Sequence, residues 1–373
     1  MGLEGNHSLV IRPPANGQVL INGQVLIDGA DFRALVDEVQ ALRQRLDQQQ
    51  CVTEVPSTIT GLSGSLYKWL GGVLAGNGKI YGIPDTSASV LIIDPATNTA
   101  DTTTITGLSG SANKWHGGVL AGNGMIYGIP GSSASVLIID PATNTADTTT
   151  ITGLSGSFKW AHSVLAGNGK IYGFPDMSAS VLIIDPTTNT ADTTTITGLS
   201  GDSKWLGGVL AGNGKIYGIP WSSASVLIID PATNTADTTT ITGLSSGIAK
   251  WRGGVLASNG KIYGIPSHSG SVLIIDPATN TTDTTTITGL SGTFKWAYSV
   301  LAGNGKIYGF PFVSGSVLIV DPTTNTADTT TITGLSGDGK WLGGVLAGNG
   351  KIYGIPWNSA SVLIIQCMLA GGL

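Results

Sequence analysis

The chain of 373 residues is lightly charged, with 11% Asp, Glu, Lys and Arg and a formal net charge of −5, yet 41% of it is hydrophobic. That apolar share excludes a disordered polymer, and 55 glycines spread along the chain exclude a long helical array. A pI near 5.2 with scarce Arg argues against nucleic acid as a partner, and no apolar run approaches the length of a membrane span.

Residues 1–30 hold short β-type runs, Ser8-Leu9-Val10-Ile11 among them, around Pro13-Pro14. Over residues 31–50, Asp31 can cap a helix in which Phe32, Leu35, Val39, Leu42 and Leu46 follow 3,4,3,4 spacing. Such a stripe either packs on its own domain or joins copies of the chain as a homo-oligomer. The chain opens without the basic start and apolar core of a signal peptide.

From residue 52 to 373 the chain repeats. Lys-Trp recurs with Trp at 69, 115, 160, 205, 251, 296 and 341, in steps of 46, 45, 45, 46, 45 and 45 residues. Each period contains four β-type runs, the pattern of a radially repeated sheet. In the first, Gly71–Ala75 is joined through Gly76-Asn77-Gly78 to Lys79–Pro84, and Asn-Gly accepts the positive φ of a tight hairpin turn. Ser89–Ile93 follows without alternation, as for a strand covered on both faces. Asp94-Pro95-Ala96-Thr97-Asn98 is turn chemistry. Asp101–Thr106, β-branched and polar, is expected as a wet outer strand. These are strands A to D of one blade, from the axis outward, and the fold class is all-β: a seven-bladed β-propeller.

The last period supplies only A, B and C before departing from the repeat at Gln366, while Ser57-Thr58-Ile59-Thr60-Gly61 supplies a D strand with no A, B and C before it. A three-plus-one closure joins them and leaves no open edge. Cys51 aligns with Thr97 and Cys367 with Pro95, so both cysteines fall in the C–D turn at this seam. A disulfide there is expected to clasp the ring, and it favours an extracellular or cell-surface setting.

Gly-Asn-Gly-Lys-Ile-Tyr-Gly-Ile-Pro followed by Ser-Val-Leu-Ile-Ile-Asp-Pro-Ala-Thr-Asn-Thr resembles the YVTN-type β-propeller repeat over roughly residues 52 to 366. The Gly-Ile-Pro after the Tyr and the Lys-Trp depart from that pattern. The resemblance implies the architecture, and its relatives include surface-layer, binding and lactonase-like proteins, so it leaves the chemistry open.

A longer period is superimposed. Lys-Trp-Leu-Gly-Gly recurs at Trp69, Trp205 and Trp341, each 136 residues after the last, and Phe-Lys-Trp-Ala at Phe158 and Phe294 is also 136 apart. Amplification of a three-blade unit explains both. Against this uniformity the departures fall in the D–A and B–C connections, which share one face of an antiparallel blade, here the upper face. Trp221, Trp357, Phe312, Tyr298, His116, His162, Arg252 and His268 are the candidate ligand-binding residues, because aromatics and Arg are the side chains enriched at binding hot spots. Lys68, Lys114, Lys159, Lys204, Lys250, Lys295 and Lys340 are expected to ring that face and attract anionic ligands, or to cover the adjacent Trp with their stems. The repeated Trp is expected between blades.

No His-x-x-x-His spacing, no repeated acids near the axis and no base beside the many Ser and Thr suggest catalysis, so neither metal nor cofactor is expected. The reading is a non-catalytic recognition scaffold, for acidic glycans or proteins. Its rivals are a hydrolase of lactonase-like propeller type and a structural array protein without a specific ligand.

Overall fold

The computed structural model describes residues 2–4, 8–10, 57–108 and 112–366. The chain divides into an N-terminal unit and a propeller unit of Cys51–Met368. In the first, Gly2–Glu4 pairs antiparallel with Ser8–Val10. The helix expected over 31–50 and the cysteines Cys51 and Cys367 lie outside the described residues.

The propeller unit is seven four-stranded antiparallel sheets. In the first blade strand A is Trp69–Leu74, B is Ile80–Pro84, C is Leu91–Asp94 and D is Thr99–Asp101. In the seventh, A is Trp341–Leu346, B is Lys351–Pro356 and C is Val362–Gln366, and its outer partner is Ser57–Ile59, with Ser57 opposite Ile364, Thr58 opposite Leu363 and Ile59 opposite Val362. Three hundred residues of sequence therefore separate two neighbouring strands of one sheet.

Strand D differs from its expected span. Its regular part is Thr99–Asp101, and Thr102–Thr104 bend away from the ladder. The cause is Asp101, whose carboxylate accepts bonds from the backbone N–H groups of Thr103 and Thr104 and from both hydroxyls. A side chain that satisfies these donors competes with the strand ladder. Ile105 then rejoins the sheet, its carbonyl accepting from Val90 N–H at 3.0 Å.

The core lies between blades. Trp115 packs with Val73, Tyr81, Ile83 and Val90 of the preceding blade, and Trp69 packs likewise with Val345, Tyr353, Ile355 and Val362 across the seam. Each Trp also donates its indole N–H within its own blade, Trp69 to Ser89 O at 2.7 Å. Gly72 on strand A is required here, because a Cβ would stand 2.8 Å from Ile355 Cδ1 of the neighbouring blade. The lower face repeats one lock: Asn77 Nδ2 donates to Tyr81 Oη and to Pro141 O, both at 2.9 Å, and Tyr81 Oη donates to Asn144 Oδ1 at 2.7 Å in the next blade. Asn144 holds a φ of 54°, which Asn tolerates better than most residues. Tyr353 makes the same bond to Asn98 at 2.7 Å, carrying the lock from blade seven to blade one.

Candidate functional site

The site begins with a bulge. In strand A the register with strand B shifts just after the Trp, and the second residue after Trp has positive φ in all seven blades. Five of these positions are Gly, with Gly71 at 71°; the other two are His162 at 54° and Tyr298 at 57°. A side chain in this conformation costs roughly 1–2 kcal/mol, so two such residues are retained against local preference. They come from blades three and six and meet on the axis, their ring centroids 3.9 Å apart. Together they plug the channel. The axial space is a cavity of about 170 Å³, lined by these two rings, by glycine backbone and by Ser163 and Ser299.

At the upper mouth stands Arg252 of blade five. Its guanidinium carbon lies 5.3 Å from the Trp221 ring, 5.6 Å from Tyr298 and 5.7 Å from Phe312, all within cation–π range. Phe312 continues to Trp357 at 5.3 Å and Trp357 to Tyr67 at 4.5 Å; on the other side Phe294 lies 6.3 Å from both Trp221 and Phe312, with His268 edge-on to it at 4.1 Å. The departures from the repeat thus form one aromatic arc around a single cation. Beneath it Leu70, Ala297, Tyr298 and Leu342 make a small apolar cluster separate from the seven inter-blade cores.

Two carboxylates are buried at the same mouth. Asp85 accepts from Trp357 Nε1 at 2.9 Å, and its other oxygen lies 3.8 Å from His116 Nε2. Burial pushes the Asp85 carboxyl up to about 6, against the opposing pull of the Trp357 bond, Lys114 and Arg252. Burial likewise raises Asp176 to about 6, with Ser203 and Arg252 opposing. The imidazoles go the other way: burial, then Arg252, hold His116 down at about 4 and His162 at about 3. Both are neutral at pH 7. Among the described residues, seven buried side-chain polar atoms have no hydrogen-bond partner in the protein: Asp85 Oδ1, His162 Nε2, Ser163 Oγ, Asp176 Oδ1, Arg252 Nε, His268 Nε2 and Ser299 Oγ. All seven belong to the axis or its upper mouth. Buried polar groups are normally paired, so such a concentration calls for a reason.

The lysine ring is corrected by the structure. Lys68, Lys114, Lys159, Lys204, Lys250, Lys295 and Lys340 are all buried, at 2–5% exposure, and their ammonium groups turn inward. Lys159 Nζ donates to Gly131 O, Ser133 O and Gly156 O, each at 2.9 Å, the first two on the preceding blade. Lys295 repeats this with Ser267 O, Ser269 O and Gly292 O. Three protons meet three carbonyls, and the stem lies against its own Trp, with Nζ 5.8 Å from the Trp160 ring. Burial lowers Lys159 to about 8, so the group stays charged at neutral pH. These lysines staple blades and do not present charge to solvent. The charges left exposed on that face are Asp202 and Asp338, beside the half-buried Arg252. On the lower face Lys79 pairs with Asp94 at 3.6 Å, and four other blades repeat the pair.

Of the candidate ligand residues, Trp221, Trp357, Phe312, Arg252 and His268 come together at the mouth, half-buried. Three do not stand on the rim as expected: Tyr298 and His116 are buried, and His162 lies inside the channel. For Tyr298 and His162 the reason is the bulge, which aims the second residue after Trp at the axis, whereas His116, the first residue after Trp115, is buried beside Asp85. Of a further set of apolar neighbours on this face, the sequence reading picked out only Phe158 and Phe294. Among the described residues the exposed large hydrophobics are Leu66, Tyr67, Phe158, Met177, Ile248, Phe294 and Val313, and every one is in a D–A or B–C connection. Their confinement to two loop types was the available signal.

A family described as a repeat of unknown function (DUF6923) matches residues 72–246. No curated protein matches the chain in sequence. Among solved structures, catalytically inactive virginiamycin B lyase from Staphylococcus aureus with quinupristin is similar at a TM-score of 0.68 and 8% identity, over 84% of this chain and 99% of that one. Hydrazine synthase of Kuenenia stuttgartiensis is similar at 0.64 and 15%, over 82% and 97%. The extracellular domain of BT4673 from B. thetaiotaomicron is similar at 0.63 and 11%, over 85% and 43%. At these identities the likeness is one of fold. The chain is a seven-bladed β-propeller, and proteins of this fold include an enzyme as well as an extracellular domain.

Proposed function

We propose that this protein is a non-catalytic recognition scaffold that holds a protein or glycan ligand over the upper mouth of the propeller, against Trp221, Phe312, Trp357, Arg252 and His268. The observation that carries this reading is convergence. Blades that are otherwise near copies depart from one another at positions that assemble into one aromatic arc, around which the unpaired buried polar atoms also gather. Random change in unconstrained loops would scatter around the ring. The exposed apolar side chains on the same face extend the contact area beyond the mouth. The preference for acidic ligands loses its support, because the lysines that were to attract them are bonded internally. Joining of copies through residues 31–50 would add avidity to each contact.

The test is a screen of neutral glycans, acidic glycans and cell-surface extracts, repeated with a Trp221→Ala, Trp357→Ala double variant. Binding should fall at least tenfold in the folded variant; unchanged binding would move the ligand off this face. A second reading, an enzyme, is favoured by Asp85 beside His116 at the mouth and by the lyase of similar fold. It requires turnover that Asp85→Asn abolishes. Against it, Asp85 is 1% exposed and has no route to a substrate without rearrangement.

A further inference from the structure

Arg252 is an odd occupant of its position. The equivalent residue after Trp is Leu70, Leu206 and Leu342 in three blades and Ala161 and Ala297 in two others. Three aromatic rings surround its guanidinium at 5.3–5.7 Å. Among the described residues no carboxylate comes within ion-pair distance of it, and its Nε is buried without a partner. Yet two carboxylates are buried near enough to feel its charge, and each keeps one oxygen unbonded. An aromatic enclosure backed by carboxylates is the chemistry of an organic-cation receptor. Here the receptor is already filled by a side chain of its own chain, without the close ion pairs that would lock that side chain in place.

Resting on the proposal that the mouth binds a ligand, we infer that the mouth is an aromatic cage for an organic cation, a guanidinium or alkylammonium group, and that Arg252 is a displaceable internal occupant of it. The incoming cation takes the faces of Trp221 and Phe312 as Arg252 swings outward. A ligand that must displace an occupant binds more weakly by the fraction of time the cage stands open. Removing the occupant should therefore strengthen binding.

The cation can come from a free small molecule or from an arginine of a partner protein, and the arms of the test separate these. The full chain and its Arg252→Ala variant, whose side chain Ala161 and Ala297 already carry in equivalent places, are titrated with agmatine, with its neutral isostere pentylurea, and with a short arginine peptide beside its citrulline counterpart. Saturable binding of agmatine or the arginine peptide to the wild type is expected, about tenfold tighter in Arg252→Ala and lost when Trp221→Ala is added. Agmatine binding assigns a free cation; binding of the peptide alone assigns a partner's arginine. The cage is overturned if the wild type takes neither cation, or if the neutral isostere or the citrulline peptide binds as well as its charged counterpart. Each variant is checked for an unchanged thermal transition. If the cations fail while the extract ligand still depends on Trp221 and Trp357, only the cage falls and the recognition reading stands.

Discussion

On the lower face Tyr81, Asn77 and Asn144 make a contact that recurs from blade to blade, Lys79 faces Asp94, and the polar side chains of the lock have partners in the next blade. At the upper mouth, one strand length away on the same sheets, Arg252 lacks a close carboxylate, two aspartates are buried with an unbonded oxygen, and His162 and Tyr298 hold positive φ. The lower face is what the repeat does when only folding constrains it. The mouth departs from the repeat in ways that cost stability, and the recognition reading accounts for that cost.

The largest effect expected from breaking the lower face is Tyr217→Ala, which empties an inter-blade core and a lock together; it should cost about 3–5 kcal/mol in urea unfolding, whereas Tyr217→Phe should cost about 1 kcal/mol. Next comes Lys159→Met. One buried and two part-buried carbonyls lose their donor, so a loss of about 2–3 kcal/mol is expected; a change near zero would return the lysine to a solvated role.

The mouth should respond with the opposite sign. Asp85 has a folded-state pKa of about 6, above its ordinary value, so ionising it costs stability that is fully felt above about pH 6 and fades as pH falls towards 4. Asp85→Asn should therefore gain about 2 kcal/mol at pH 7 and lose that advantage by pH 4, read as the difference between the two unfolding curves across pH. A destabilised Asp85→Asn at pH 7 would mean that the mouth is as well satisfied as the lower face. The smallest effect on folding is expected of Phe294→Ser, which is 40% exposed. Stability should stay within about 0.5 kcal/mol, while affinity for the upper-face ligand drops several-fold; equal affinity would remove Phe294 from the arc.

Much of the architecture was legible because it is local and repeated. Asn-Gly turns, the apolar C strand and the 45-residue step each report on neighbours in sequence or at one fixed offset, and the D strand carried before the first Trp announced the pairing later seen between Ile59 and Val362. The outer strand was placed too far along, at Asp101–Thr106, because the threonine run was counted as strand, although the Asp101 carboxylate caps the turn that ends the regular ladder at Asp101. The upper face was identified from where the loops vary, but the inward turn of its lysines was read only as an alternative to a solvated ring. A lysine at a loop end is ordinarily solvated, and nothing near Lys159 in sequence reveals that Gly131 O and Ser133 O of the previous blade point at it.

The sequence alone determined the number of blades, the order of their strands and the face on which they differ, because periodic burial and turn chemistry act over a few residues and are copied seven times. Tertiary structure alone decided which side chains face water. It brought His162 and Tyr298 together across the axis from positions 136 residues apart, drew the lysines under the loops, and buried Asp85 and Asp176 beside Arg252. Solvation and charge at a ring's centre depend on which blades stand opposite and how deeply each loop folds over its neighbour, and those quantities exist only once the ring is closed.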